Sequence, residues 1–166
     1  MKIDNKNFCR IARVFFLFIV FSVIFHLGYS FSKVEGDSMN PTFKDGQRLL
    51  VDEWTYKFFN PERGEVVILK DPEEKGDELV KRVIATEGDV VQIKYGKIFL
   101  NGSEFNDPFS GEAIIFYVNE EMTLWFNENG KETKVPKGYV WVIGDNREMS
   151  WYGMVKVSKI QGKILR

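Results

Sequence analysis

Two regimes of hydrophobic patterning divide the chain. From Val14 to Ser32 no residue carries a fixed charge and the apolar positions run on without alternation. At ~1.5 Å per residue such a run, taken as a helix, roughly matches a ~30 Å hydrocarbon core, which predicts a transmembrane anchor over residues 14–32. After Lys33 the pattern changes to short apolar runs broken by Gly, Pro, Asp and Asn. Strands are predicted at Gln47–Asp52, Gly64–Lys70, Leu79–Ala85, Asp89–Ile93, Ile98–Leu100 and Tyr139–Ile143. Ala113–Val118 and Met122–Phe126 read as another pair of strands. Turns are expected at Tyr95–Lys97, Asn101–Gly102 and Glu128–Lys131, and a solvated charged loop at Asp71–Glu78. Helical periodicity is absent outside the first run. The expected architecture is mainly β: one N-terminal transmembrane helix followed by a compact, barrel- or sandwich-like domain.

The flanking charges orient the first run. Lys2, Lys6, Arg10 and Arg13 precede it, whereas Lys33 is followed closely by Glu35 and Asp37. The positive-inside bias keeps residues 1–13 in the cytoplasm and exports residues 33–166. A cleaved signal peptide would need a shorter apolar core and a small-x-small cleavage site, and Gly28-Tyr29-Ser30 is a poor version of one. A retained single-pass anchor is therefore expected. His26, near its outer end, reads as an interfacial polar residue, because no acidic partner lies in the run. Trp54 and Phe58-Phe59 read either as core or as an apolar patch facing the membrane.

Composition narrows the functional classes. The 166 residues leave room for one exported domain, and 44% hydrophobic content suffices for its core. A formal net charge of −1 and the lack of a basic stripe argue against a nucleic-acid partner. Cys9 is the single cysteine, so no intrachain disulfide is available.

The candidate chemistry lies in Ser38 and Lys81. Ser38 sits on a Gly/Pro-bounded turn, Gly36-Asp37-Ser38-Met39-Asn40-Pro41, and Lys81 sits inside the apolar run Leu79–Ile84. A serine hydroxyl is a weak nucleophile that needs a base within hydrogen-bond reach. A lysine serves as that base only when burial lowers its pKa from ~10.4. Strand alternation places Lys81 on one face with Leu79 and Val83, which suits this, and Arg82 on the other. A Ser-Lys pair needs no histidine, metal or cofactor.

Four motifs then occur in order: Gly36–Phe43, Arg63–Val67, Lys81–Ile84 with Glu87–Asp89, and Gly144–Ser150. With the preceding hydrophobic run they resemble the type I signal peptidases. The resemblance implies a membrane-anchored catalytic β domain of signal peptidase type. It implies a serine endopeptidase that removes signal peptides from exported preproteins at Ala-x-Ala-like sites, with the lipid membrane as its other partner. On that resemblance Ser38 is the nucleophile, Lys81 the general base, and Ser150 a hydrogen-bonding partner that orients Lys81. The Ser38 N–H would donate to the oxyanion. Gly36 stands where some members add a hydroxyl to that site. Asp145 and Arg82 match a supporting ion pair, and Val34, Met39, Phe43 and Val80 match positions lining small substrate pockets.

One departure is substantial. Family members commonly continue the last motif with Asp-Ser-Arg before an aromatic-Gly pair, whereas here Ser150 runs straight into Trp151-Tyr152-Gly153. An ion pair is thereby lost, with Arg147 and Glu148 as candidates to compensate. The shortened motif also suits a specialised peptidase, such as one maturing a conjugative pilin. Two other classes compete. A non-catalytic, membrane-tethered β domain would bind exported proteins without cutting them. A self-cleaving regulator similar to LexA-like repressors would carry a DNA-binding helical module where this chain has its apolar run.

Overall fold

The computed structural model describes residues 5–71, 77–109 and 130–165. The expected strands at Ala113–Val118 and Met122–Phe126, most of the Asp71–Glu78 loop, the start of the Glu128–Lys131 turn and the His26 side chain lie outside the described residues.

Helix α1 covers Asn5–Gly28 and leads directly into strand β1, Tyr29–Lys33. The last carbonyls of a helix lack partners within it. Here the Glu53 N–H donates to the Gly28 carbonyl (2.9 Å) and Trp54 Nε1 to that of Leu27 (3.0 Å). Gly28 has no side chain, and any Cβ there would overlap the Trp54 indole. The helix therefore stops where the domain can receive it. This corrects the anchor expected over residues 14–32, because Tyr29–Ser32 belong to a strand. Among the described residues no helix is long and apolar enough to cross a membrane. The uncharged part of α1, Val14 to Gly28, spans only ~22 Å at ~1.5 Å per residue.

The other described strands are β2 (Arg48–Asp52), β3 (Val66–Lys70), β4 (Glu78–Ala85), β5 (Val90–Lys94), β6 (Lys97–Leu100), β7 (Ser103–Glu104), β8 (Thr133–Lys134), β9 (Tyr139–Ile143), β10 (Tyr152–Lys156) and β11 (Ile160–Leu165). A short helix α2, Thr55–Phe58, follows β2. All pairings are antiparallel, in a seven-stranded sheet ordered β1-β2-β11-β3-β4-β9-β10 and a four-stranded sheet ordered β7-β6-β5-β8. The large sheet curls, so that Ser32 of β1 donates a hydrogen bond to Glu78 of β4 (3.2 Å). The protein is mainly β, as expected.

Three apolar clusters hold the sheets. Val67, Leu69, Val83, Val140, Val142, Val155 and Ile160 fill one face of the large sheet. Leu49, Val51, Val66, Ile68, Val80 and Ile164 pack on the other, beneath the β1–β2 loop. The third joins Ile84, Trp141 and Ile143 of the large sheet to Val91, Ile93, Ile98 and Leu100 of the small one. Burial on both faces explains why β3 reads as a continuous apolar run rather than an alternating one.

Candidate active site

Ser38 is carried by the loop between β1 and β2. That loop is closed at its base by Val34 N–H to Gln47 carbonyl (2.8 Å) and Gly46 N–H to Val34 carbonyl (2.9 Å). Gly36 takes a positive φ of 78° and donates its N–H to Asp45 (2.9 Å). This left-handed turn aims the following residues at β4, and it is a conformation that glycine adopts without strain.

Lys81 lies in mid-β4 opposite Val67. Its neighbours on that face, Leu79 and Val83, join the same apolar cluster as Val67. Lys81 is 3% exposed, yet its Nζ lies 2.8 Å from Ser38 Oγ. Burial pulls its pKa down from 10.5 to about 8, against the smaller upward pull of the Asp145 and Asp71 carboxylates. A hydroxyl and a low-pKa amine so placed can act as nucleophile and base in acyl transfer.

The turn after β9 grips both partners. Strand β9 pairs with β4 only from Arg82 onward, and the chain leaves the sheet at Gly144. The Asn146 N–H then donates to the Ser38 carbonyl (3.0 Å), and Asn146 Nδ2 to that of Asp37 (3.1 Å). Gly144 approaches so closely that any Cβ would overlap the Ser38 carbonyl oxygen and Ser150 Oγ. Asp145 is 1% exposed and receives Arg82 Nε at 2.8 Å, Arg82 Nη2 at 2.6 Å and Thr42 Oγ1 at 2.5 Å. A buried carboxylate needs such an opposite charge and saturated hydrogen bonding. Arg82 also donates to the Gly64 carbonyl (2.7 Å). The ion pair expected from the motifs is formed.

Ser150 differs from expectation. Its Oγ accepts the Gly144 N–H (2.7 Å) and donates to the Trp151 carbonyl (2.8 Å), not to Lys81. With the loop after Ser150 shortened, the hydroxyl closes its own turn. Arg147 is buried and donates to the Gly144 carbonyl and to Asp107. Glu148 is exposed, so the acidic half of the expected compensation comes from elsewhere in the chain. Val34, Met39, Phe43 and Val80 all join the buried cluster that Leu49, Val51 and Ile68 form beneath the β1–β2 loop, at 0–8% exposure. They form a packed floor, and Phe43 also lines a cavity with Gly64, Val66, Arg82 and Phe109. Thr42 and Asp107 escaped the sequence reading, because nothing local marks a threonine or an aspartate whose partner lies far along the chain.

A serine hydroxyl within hydrogen-bond reach of a buried amine on a β scaffold has the geometry that serine hydrolase chemistry requires. The sequence profile of the family described as "Signal peptidase, peptidase S26" matches residues 8–165. The chain belongs to that family. It is 35% identical over 141 residues to signal peptidase IB of Staphylococcus aureus, covering 79% of this chain and 73% of that protein. It is also 35% identical over 138 residues to signal peptidase I V of Bacillus subtilis, covering 80% and 81%. A solved signal peptidase I from Enterococcus faecalis overlays with a TM-score of 0.46 at 22% identity, covering 65% of this chain and 98% of that one.

Proposed function

We propose that this chain is a membrane-held serine endopeptidase that removes N-terminal signal peptides from exported preproteins, with Ser38 as nucleophile and Lys81 as general base. The observation that carries the reading is the 2.8 Å approach of Ser38 Oγ to a buried Lys81 Nζ in a chain of this family. Neutral Lys81 takes the Ser38 proton as Oγ attacks the scissile carbonyl. The resulting ammonium gives that proton to the leaving amine as the peptide C–N bond breaks; neutral Lys81 then deprotonates a water that attacks the ester, and returns the proton to Ser38 Oγ as the ester C–O bond breaks. Among the described residues no hydrogen bond uses the Ser38 N–H, which leaves it available to an oxyanion. Gly36 spends its own N–H on Asp45 and offers no side-chain donor. No described strand pairs with Glu78–Lys81 on the β9 side, so an extended peptide can add there, beside Ser38. The filled floor of Val34, Met39, Phe43 and Val80 favours alanine-sized side chains at Ala-x-Ala-like sites.

Only the neutral amine is a base, and a pKa of about 8 leaves roughly a tenth of it neutral at pH 7. Cleavage of a preprotein with an Ala-x-Ala site should therefore rise with pH along a limb centred near 8 and level off above it. Rates measured from about pH 6 to 10 test this; a flat profile would remove Lys81 as the base.

Residues 1–13 are assigned to the cytoplasm, the rest of α1, from Val14 on, to the membrane and the β domain to the outer face. Val14, Phe15, Phe16, Leu17 and Phe18 are consecutive in α1 and each 64–68% exposed, so along this stretch the helix presents apolar side chains on all its faces. Arg10 and Arg13 can snorkel, and local bilayer thinning accommodates a short apolar stretch. Trp54, bonded to the last turn of α1, and Phe58 and Phe59, which follow it in the chain, are all exposed and suit the outer interface. The full chain is expected to stay with the membrane through an alkaline carbonate wash. Its release into the supernatant would remove the anchor.

A further inference from the structure

Arg147 is 1% exposed, and a buried cation without an acidic partner is strongly destabilising. Its carboxylate comes neither from its own turn nor from the large sheet, but from Asp107, in the loop that leaves β7 of the small sheet. The base of that loop is fixed to β6 by the Phe105 N–H to Ile98 carbonyl bond (2.8 Å), and the Phe105 side chain packs on the core cluster shared by the two sheets. The second Asp107 oxygen accepts the Phe109 N–H (2.9 Å), which sets the Phe109 ring 3.8 Å from the Arg82 guanidinium carbon. The loop thus holds two buried arginines at once. Arg82 carries Asp145. Arg147 carries the Gly144 carbonyl. Both lead into the turn whose Asn146 N–H holds the Ser38 carbonyl.

We infer that Asp107 and Phe109 are positioning residues for the Ser38–Lys81 pair, bracing from the small sheet a turn that the shortened segment after Ser150 leaves without its own acid. The inference rests on the function proposed above. A guanidinium held on one side by a carboxylate and on the other by a backbone carbonyl transmits a displacement of the loop to Gly144. The aromatic face over Arg82 limits how far Asp145 can move. A shift of the turn lengthens the Ser38–Lys81 approach without altering the substrate-binding edge of β4, so the loss falls on kcat rather than KM.

The test uses the full chain in detergent and a preprotein substrate, with Asp107→Asn, Asp107→Glu, Phe109→Leu and the exchange Asp107→Arg with Arg147→Asp, beside Lys81→Ala. Asp107→Asn should lower kcat by about 10–100-fold, with KM little changed and the pH limb near 8 reduced in height but not moved. Asp107→Glu should recover part of the rate, and the charge exchange should exceed the product of its two single substitutions. Amide exchange at Asn146 should quicken in Asp107→Asn. A folded Asp107→Asn enzyme with wild-type kcat overturns the inference, as does a loss that only follows the unfolded fraction. If Asp107→Asn does not fold, Phe109→Leu decides: lowered kcat at an unchanged unfolding midpoint supports the brace, and wild-type kcat overturns it. An active Lys81→Ala enzyme overturns the dyad and the inference together. An inactive Lys81→Ala with wild-type Asp107→Asn overturns the inference alone.

Discussion

Ser38→Ala and Lys81→Ala should each lower preprotein cleavage by about 10⁴-fold or more, and the double variant should be no worse than either single one. In the proposed mechanism the two groups act on one proton. Without Oγ there is nothing to deprotonate, and without Nζ the hydroxyl stays a weak nucleophile 2.8 Å from an empty site. Equal single and double losses in single-turnover assays would establish that they work as a unit; additive losses would separate them. Lys81→Met distinguishes lost chemistry from lost folding. The folded-state pKa of Lys81 lies near 8, below its ordinary 10.5, so the chain binds this proton less well when folded. The penalty is fully present below about pH 8 and is relieved as pH rises from about 8 towards 10.5. An apolar side chain of similar length removes it, so Lys81→Met should be inactive and yet more stable at neutral pH, by up to about 3 kcal/mol. A lowered unfolding midpoint would contradict the buried-base account.

Asp145→Ala should destabilise the fold by about 3–5 kcal/mol, because it strands Arg82 as an uncompensated buried cation. Arg82 is 2% exposed and Asp145 1%, so water cannot replace the lost partner. Thr42 also loses its acceptor, which loosens the loop that presents Ser38. Asp145 pulls the Lys81 pKa upward, so in whatever enzyme remains folded the acid limb of the rate profile should move to lower pH. Replacing both partners by Leu and Met should recover most of the stability but not the activity, since the packing is restored and the hydrogen bonds to the turn are not. Chemical denaturation of the three variants measures the coupling. If Asp145→Ala unfolds at the wild-type midpoint, the pair is not the brace its geometry implies.

The legibility of the fold followed the locality of the signals. Strands β3, β4, β5 and β9 announce themselves as apolar runs bounded by Gly, Pro and Asp, and they lie within two residues of their expected limits. Strand β1 did not, because Tyr29–Ser32 continue the uncharged run of α1; only the pairing of Tyr29–Lys33 with Arg48–Asp52 marks the boundary. Strand β11 is not among the expected strands although Ile160, Gly162 and Ile164 alternate with half-buried neighbours, and it lies in mid-sheet between β2 and β3. Its place depends on a return of the chain end that no local pattern encodes.

The site divides along the same line. The residue types of Ser38 and Lys81, and the apolar neighbours that lower the lysine's pKa, are local properties, so the sequence determined the family and the residues on which the proposed chemistry rests. The approach of Ser38 to Lys81, the acid that pairs with Arg147 and the true partners of Ser150 were decided by tertiary structure. Each depends on where a loop of one strand pair lands against another, and that is fixed by register, by the exit of β9 from the sheet at Gly144 and by the burial of charges that must find partners across the fold.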